Sequence, residues 1–251
     1  MAGSQMMDIA FHEEPGCSSL RSGTVMGEAL LNHQARHSLS VQPIPYDCRW
    51  PVLRSLASQH ISLRRGETPT STGTSASQCF LVLEGTLRIW RALANGRRQI
   101  TAFAFPGDWA GLDDVGEHNV CFEAVTPVRA ERYHLRNLHM AVAANAAVGA
   151  ELQELLRSRI KAAQERIFVL GHKNTREKLA SFILEMTNRL AEGGNTVELA
   201  MSRQDIADYL GMSPETTCRN FTNFVADRII ALPAPNVVQI LQRGSLQFLA
   251  I

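Results

Sequence analysis

No stretch of this 251-residue chain approaches 18 continuous apolar residues, so no membrane-spanning helix is expected. Met1 to Pro15 lacks the basic start and apolar run of a secretory signal, and the chain is therefore expected in the cytoplasm. Neither sign of charge is in surplus: 25 Lys and Arg stand against 24 Asp and Glu, a formal net charge of +1. A DNA contact would have to come from a local face, because the chain as a whole offers no electrostatic bias. Cysteine is sparse. Cys17, Cys48, Cys79, Cys121 and Cys218 are scattered and odd in number, which argues for reduced thiols and against a disulfide framework.

The apolar fraction is 45% and the charged fraction 20%, enough for one or two globular domains with a real core. Residues 1–45 read as an appended, partly irregular arm. Gly3, Pro15, Gly16, Gly23, Pro43 and Pro45 punctuate it, and a turn of helix is suggested only at Met26 to Leu31. Residues 46–135 read as a β-barrel or sandwich. Short apolar runs alternate with turns there. Cys79 to Leu83 is a buried strand stopped by Glu84-Gly85, and Thr86 to Trp90 alternates. Asn95-Gly96 is a hairpin turn with Gln99 to Phe105 as its return strand. Val120 to Val125 and Val128 to Tyr133 flank Thr126-Pro127. In residues 136–172 the period changes. Leu152, Leu156, Ile160, Ala163, Ile167 and Leu170 step by three and four, one apolar stripe along a long helix that Gly171 stops. That stripe fits either a helix packed on its own domain or a dimer seam.

Residues 173–251 carry the function. Asn174 and Glu177 stand at capping-box spacing, opening a helix that runs to about Leu190. A short strand at Val197 to Leu199 follows. Ser202 caps a helix over Arg203 to Leu210, and Gly211 ends it. Ser213 caps the next helix, with Pro214 at its first position, where a missing N–H costs nothing. Two helices joined by so tight a turn form a helix-turn-helix, with Ala207 at the crossing and Ile206, Leu210, Phe221 and Val225 available to bury. Ile229 to Leu232 and Val237 to Leu241 then make a hairpin, the wing. The fold class is α+β: a β-barrel or sandwich, a long helix and a winged helix-turn-helix.

On the second helix Glu215, Cys218 and Arg219 share a face. An arginine can donate two hydrogen bonds to guanine O6 and N7, and a carboxylate can accept from cytosine N4. Thr216 and Thr217, with the helix N-terminus, can hold phosphates, and the caps Ser202 and Ser213 are counted with them as DNA-binding candidates. A solvated Glu–Arg pair would account for the first two residues equally well. From Lys173 onward eight basic residues face eight acidic ones, so the assignment rests on architecture and not on charge.

Ser202-Arg-Gln-Asp-Ile-Ala-Asp-Tyr-Leu-Gly-Met-Ser-Pro-Glu-Thr-Thr-Cys-Arg219 resembles the helix-turn-helix of the FNR branch of the CRP/FNR superfamily. Leu170-Gly-His-Lys-Asn-Thr-Arg-Glu177, Gly96-Arg-Arg-Gln-Ile-Thr101 and Pro106-Gly-Asp-Trp-Ala-Gly111 resemble its FixK-type subgroup. The resemblance spans Val52 to Ile251. It implies a sensor-like β-roll of the cyclic-nucleotide-binding kind over residues 46–135, a dimerisation helix over residues 136–172 and a homodimeric transcription regulator, not an enzyme, joined through Leu152, Leu156, Ile160, Ala163 and Ile167. Such a protein would bind TTGA-N-TCAA-type palindromes and contact RNA polymerase, in control of low-oxygen respiration or nitrogen fixation.

In the family a Glu-x-x-Ser-Arg motif reads the half-site. Its Glu and Arg fall on Glu215 and Arg219, while the serine is replaced by Cys218. That cysteine lies near the positive end of the helix dipole beside Arg219, features that favour the oxidisable thiolate, so it is a redox-sensitive candidate. The alternative is that it merely stands in for serine as a small contact.

Cluster-bearing relatives have closely spaced N-terminal cysteines, whereas Cys17 and Cys48 lie 31 residues apart. Cyclic-nucleotide binders carry a Gly-Glu and an Arg-Ser/Thr pair. Here Gly111-Leu112 and Val120-Cys121 stand in those places, so neither metal nor cofactor is expected. Two rivals remain open: a small effector among Phe103, Trp109 and Phe122 in a ligand-responsive repressor, and a cupin-like metal site using His60 and His118.

Overall fold

The computed structural model describes residues 50–69, 77–94, 96–112, 120–191 and 193–251. The N-terminal arm, with Cys17, Cys48 and Met26 to Leu31, lies outside the described residues, as do Asn95 and His118. Helix α1 (Pro51–Arg54) leads into seven roll strands: β1 (Gln59–Leu63), β2 (Gln78–Glu84), β3 (Leu87–Ala92), β4 (Arg98–Ala104), β5 (Trp109–Ala110), β6 (Cys121–Ala124) and β7 (Val128–His134). They form two antiparallel sheets, in the orders β1-β7-β2-β5 and β4-β3-β6. The sequence did not announce α1 or β1: α1 has only four residues, and its N-terminal amides find their acceptor far away in the chain. The Glu151 carboxylate accepts from Leu53 N at 2.6 Å and Val52 N at 3.3 Å.

Strand β2 shows why a continuous apolar run is needed. Cys79 and Leu81 point to a cluster shared with the helices, with Trp109, Tyr133, Leu138 and Leu155. Val82 points to the roll interior, with Leu87, Ile89 and Phe122. Both faces are covered, so alternation with polar residues is lost. Gly85 turns the chain out of β2 at φ +83°, and a Cβ there would stand 2.1 Å from the Pro127 carbonyl oxygen, so only glycine fits.

The three aromatics offered as an effector site do not meet. Phe122 lies in the roll interior, Trp109 in the cluster under the helices, and Phe103 in the core of the C-terminal region. Each is plain core, on a different side of the sheets. His60 is exposed on β1. Among the described residues no group of three or more His, Cys, Asp or Glu is arranged to hold a metal ion. Among the described residues the roll interior is an apolar cluster without arginine or lysine, which does not fit a cyclic-nucleotide phosphate.

The segment expected as one long helix is two: α2 (Leu135–Ala144) and α3 (Ala146–His172). Asn145 separates them in extended conformation, and its side chain caps α3 by accepting from Ala147 N at 2.9 Å. At 27 residues, α3 is about 40 Å long. Its first turns pack on the roll through Val148, Leu155 and the half-buried Leu152. Gly171 is not the stop. It lies in the last turn, and the helix ends where Lys173 goes extended. Among the described residues no helix is long and apolar enough to cross a membrane.

Helix α4 (Thr175–Leu190) opens with the expected capping box between Asn174 and Glu177. Strand β8 (Thr196–Glu198), helices α5 (Arg203–Leu210) and α6 (Pro214–Ala226), strands β9 (Ile230–Ala234) and β10 (Val237–Ile240), and helix α7 (Arg243–Leu249) complete the chain. Strand β10 pairs with both β8 and β9, so the wing is a three-stranded sheet. Ile100, Phe103 and Phe105 of the roll belong to the same core cluster as Phe182, Tyr209, Leu210 and Met212, so roll and winged helix share one apolar joint.

Candidate nucleic-acid interface

Helix α5 ends at Gly211, which takes φ +64°, a left-handed conformation that stops the helix and lets Met212 N return to the Ala207 carbonyl at 3.0 Å. Two residues later α6 begins. Ser213 Oγ accepts from Thr216 N at 3.1 Å. The inner face of α6 is Thr217, Asn220, Phe221 and Phe224, all buried. Fully burying one such aromatic is worth about 1.5–3 kcal/mol, so the inner face decides which way the outer face points. Val225, expected to bury, is 40% exposed, and Phe224 takes its place at 0%. The helix turns about 100° per residue, and the one-residue shift follows from where α4 and β9 lie against it.

The outer face carries Glu215, Cys218 and Arg219, all exposed. The side chains that sequence spacing put together are thus together, on a rigid helix and open to solvent. Glu215 is held well below the usual carboxylate range, because its own backbone N–H and the Ser213 hydroxyl donate to it. In the free chain this carboxylate sits over the helix N-terminus, where negative charge is favoured.

The set of DNA-binding candidates needs correction. Thr217 is fully buried, and its hydroxyl donates to the Ser213 carbonyl at 3.1 Å, so it faces the core and not the ligand side. Position four of this helix comes round to the inside, where the core takes it up. Ser202 and Ser213 are spent on caps: Ser202 Oγ accepts from Asp205 N at 3.1 Å. Thr216 is half-buried and near the surface.

Arg203 was not singled out by the sequence. It opens α5, stacks over the Phe221 ring at 3.5 Å from its centroid, and donates to the Pro235 carbonyl in the wing turn at 2.9 Å. Burial lowers its pKa, and the nearby Cys218 acts against that. No spacing rule foretells this contact, because it joins the two helices across the turn.

The stripe on α3 divides. Leu152 is half-buried on the roll, but Leu156 is 37%, Ile160 60% and Ile167 71% exposed, and Ala163 is exposed as well. Among the described residues nothing covers Leu156, Ile160, Ala163 or Ile167, whereas Leu170 at the end of the stripe is half-buried.

Two family models match the chain: the cyclic nucleotide-binding domain over residues 60–137 and the Crp-like helix-turn-helix domain over residues 177–249. The nitrogen fixation regulation protein FixK of Bradyrhizobium diazoefficiens is 33% identical over 177 residues, 69% of this chain and 75% of the relative. The transcriptional activatory protein AadR of Rhodopseudomonas palustris is 30% identical over 186 residues, covering 73% and 77%. Among solved structures, FixK2 from Bradyrhizobium japonicum superposes with a TM-score of 0.73 at 30% identity, over 78% of this chain and 98% of that one.

Proposed function

The chain belongs to the CRP/FNR family of DNA-binding transcription regulators, in its FixK-type subgroup, and from that membership we propose that it acts as a homodimeric activator on two-fold symmetric operators. The observation that carries this reading is the exposed Glu215–Cys218–Arg219 face on a helix whose opposite face is wholly engaged in the core. Arg219 reads a guanine and Glu215 the partnering cytosine, in half-sites of the TTGA…TCAA type. The Thr216 side chain and the positive end of α6 favour the neighbouring phosphates. A palindrome requires a two-fold dimer, and the uncovered α3 residues Leu156, Ile160, Ala163 and Ile167 supply its seam.

The similarity to FixK and AadR supports a role in nitrogen fixation and in activation, hence a contact with RNA polymerase, in the cytoplasm where that polymerase works. The test is fluorescence anisotropy of the full chain on a TTGA-N-TCAA duplex against a scrambled one, without added metal or nucleotide. Preference for the palindrome is the expected result. Equal binding to both duplexes would overturn the proposal.

A further inference from the structure

The carboxylate of Asp205 faces two ways. Its Oδ2 accepts from Ser202 N at 3.0 Å and Ser202 Oγ at 2.8 Å, closing the capping box that starts α5. Its Oδ1 accepts from Arg88 Nη1 at 2.8 Å and Arg98 Nη2 at 2.6 Å, both on the roll. The side chain is only 4% exposed, a depth at which a carboxylate is tolerated when both oxygens have donors. One turn later Asp208 Oδ2 accepts from Arg98 Nε at 2.7 Å, and the Asp208 carbonyl from Gln99 Nε2 at 2.5 Å. Arg88 cannot swing away, because Glu123 takes its other edge through Nε at 3.1 Å and Nη2 at 2.5 Å. Burial weakens the charged form of Arg98, but the Asp208 hydrogen bond and the charges of Asp205, Asp208 and Glu123 outweigh it and raise its pKa.

The apolar joint between roll and winged helix is non-directional, so by itself it allows α5 to roll or slide. Three charged hydrogen bonds at fixed angles, with the neutral one from Gln99, do not. Helix α5 passes through Gly211 straight into α6, so the angle of α5 sets where Glu215, Cys218 and Arg219 point. We propose that Arg88 and Arg98 are positioning residues for DNA reading: from the roll, through Asp205 and Asp208, they hold α5 at the angle from which α6 meets the groove. The inference rests on the DNA-reading proposal above. The contact covers none of the outer face of α6, which stays exposed while α5 is held, so the held state is the reading state.

The test compares full-length wild type, Arg88→Gln/Arg98→Gln, Arg98→Gln alone and Arg88→Lys/Arg98→Lys. Anisotropy is read on the palindrome and on the scrambled duplex, and amide exchange is followed in residues 203–210 and in β2 and β7. The double Gln variant should lose about tenfold or more on the palindrome and less than about twofold on the scrambled duplex. Its α5 amides should exchange faster while β2 and β7 stay protected, which separates loss of position from loss of fold. Arg98→Gln alone, with Arg88 kept, should show the same pattern at smaller size and guards against an unfolded double variant. The Lys variant should recover part of the loss, since a point charge replaces only part of a fork. Palindrome affinity within twofold of wild type overturns the inference alone, and so does a gain, which would make the contact a restraint. A wild type without preference for the palindrome overturns the DNA-reading proposal, and this one with it.

Discussion

Arg219 and Glu215 divide the reading between a donor and an acceptor, and they should fail differently. Arg219→Ala should lose about 1–3 kcal/mol on the cognate duplex and relax preference at one G·C pair. Equal loss on every sequence would make it a phosphate contact instead. Glu215 has its pKa lowered by its own backbone N–H and the Ser213 hydroxyl. A depressed carboxyl stays ionised above its ordinary value and loses its charge only as pH falls through the lowered one. The cytosine preference should therefore be the same at pH 6 and pH 8 in a selection from randomised half-sites, and a change across that range would remove Glu215 from the reading. The cysteines should also part. Burial pushes the Cys79 thiol up to about 12, whereas Cys218 is exposed. Iodoacetamide at pH 8 should label Cys218 in the native chain and leave Cys79 until denaturation. Peroxide should weaken operator binding of wild type more than of Cys218→Ser, because an added sulfinate would oppose the phosphates and draw on Arg203 and Arg219. Equal loss in both would return Cys218 to the role of a small contact.

Three helix starts were legible because their caps are local, although the equally local cap at Asn145 was not foreseen. Ser202, Ser213 and Asn174 cap as their spacing promised, because the partner lies two or three residues away. A helix start was not legible where the partner is distant, as at α1, whose amides are met by Glu151. Helix α3 joins both cases. Its stripe was visible, but which half of it the chain covers depends on where the roll ends. Ile160, at 60% exposure, is the position to test. Ile160→Glu should place two charges in the seam and turn the dimer into monomers by sedimentation, with operator binding lost alongside. A variant that still sediments as a dimer would move the seam elsewhere.

Roll and winged helix meet at Tyr209, which packs on Phe103 at 5.1 Å and lies under Arg166 at 3.4 Å. Burial first, and then the charge of Glu185, raises the Tyr209 pKa to about 12. Cys79, at the other end of the roll core, is raised to the same region. Both groups keep their protons in the folded chain after the unfolded chain has lost them. Their contribution is complete below the ordinary values of 9.0 and 10.0 and is lost as pH rises to about 12. The melting temperature should accordingly fall from pH 8 to pH 11, less steeply in Cys79→Ala. An unchanged melting temperature would mean that these two protons are not held by the fold.

The sequence by itself determined the succession of roll, long helix and winged helix-turn-helix, and the pairing of Glu215 with Arg219 on one face. These follow from periodicity and from turn and cap chemistry, which act over a few residues. It could not decide that Thr217 turns inward, that Phe224 and not Val225 fills the core, or that three roll aromatics serve three separate clusters. It also could not show that Arg88 and Arg98 converge on an aspartate more than a hundred residues away. Those outcomes depend on which surface a helix or strand meets after the chain has closed on itself. Only the tertiary structure decides that, because burial is a property of neighbours in space and not of neighbours in sequence.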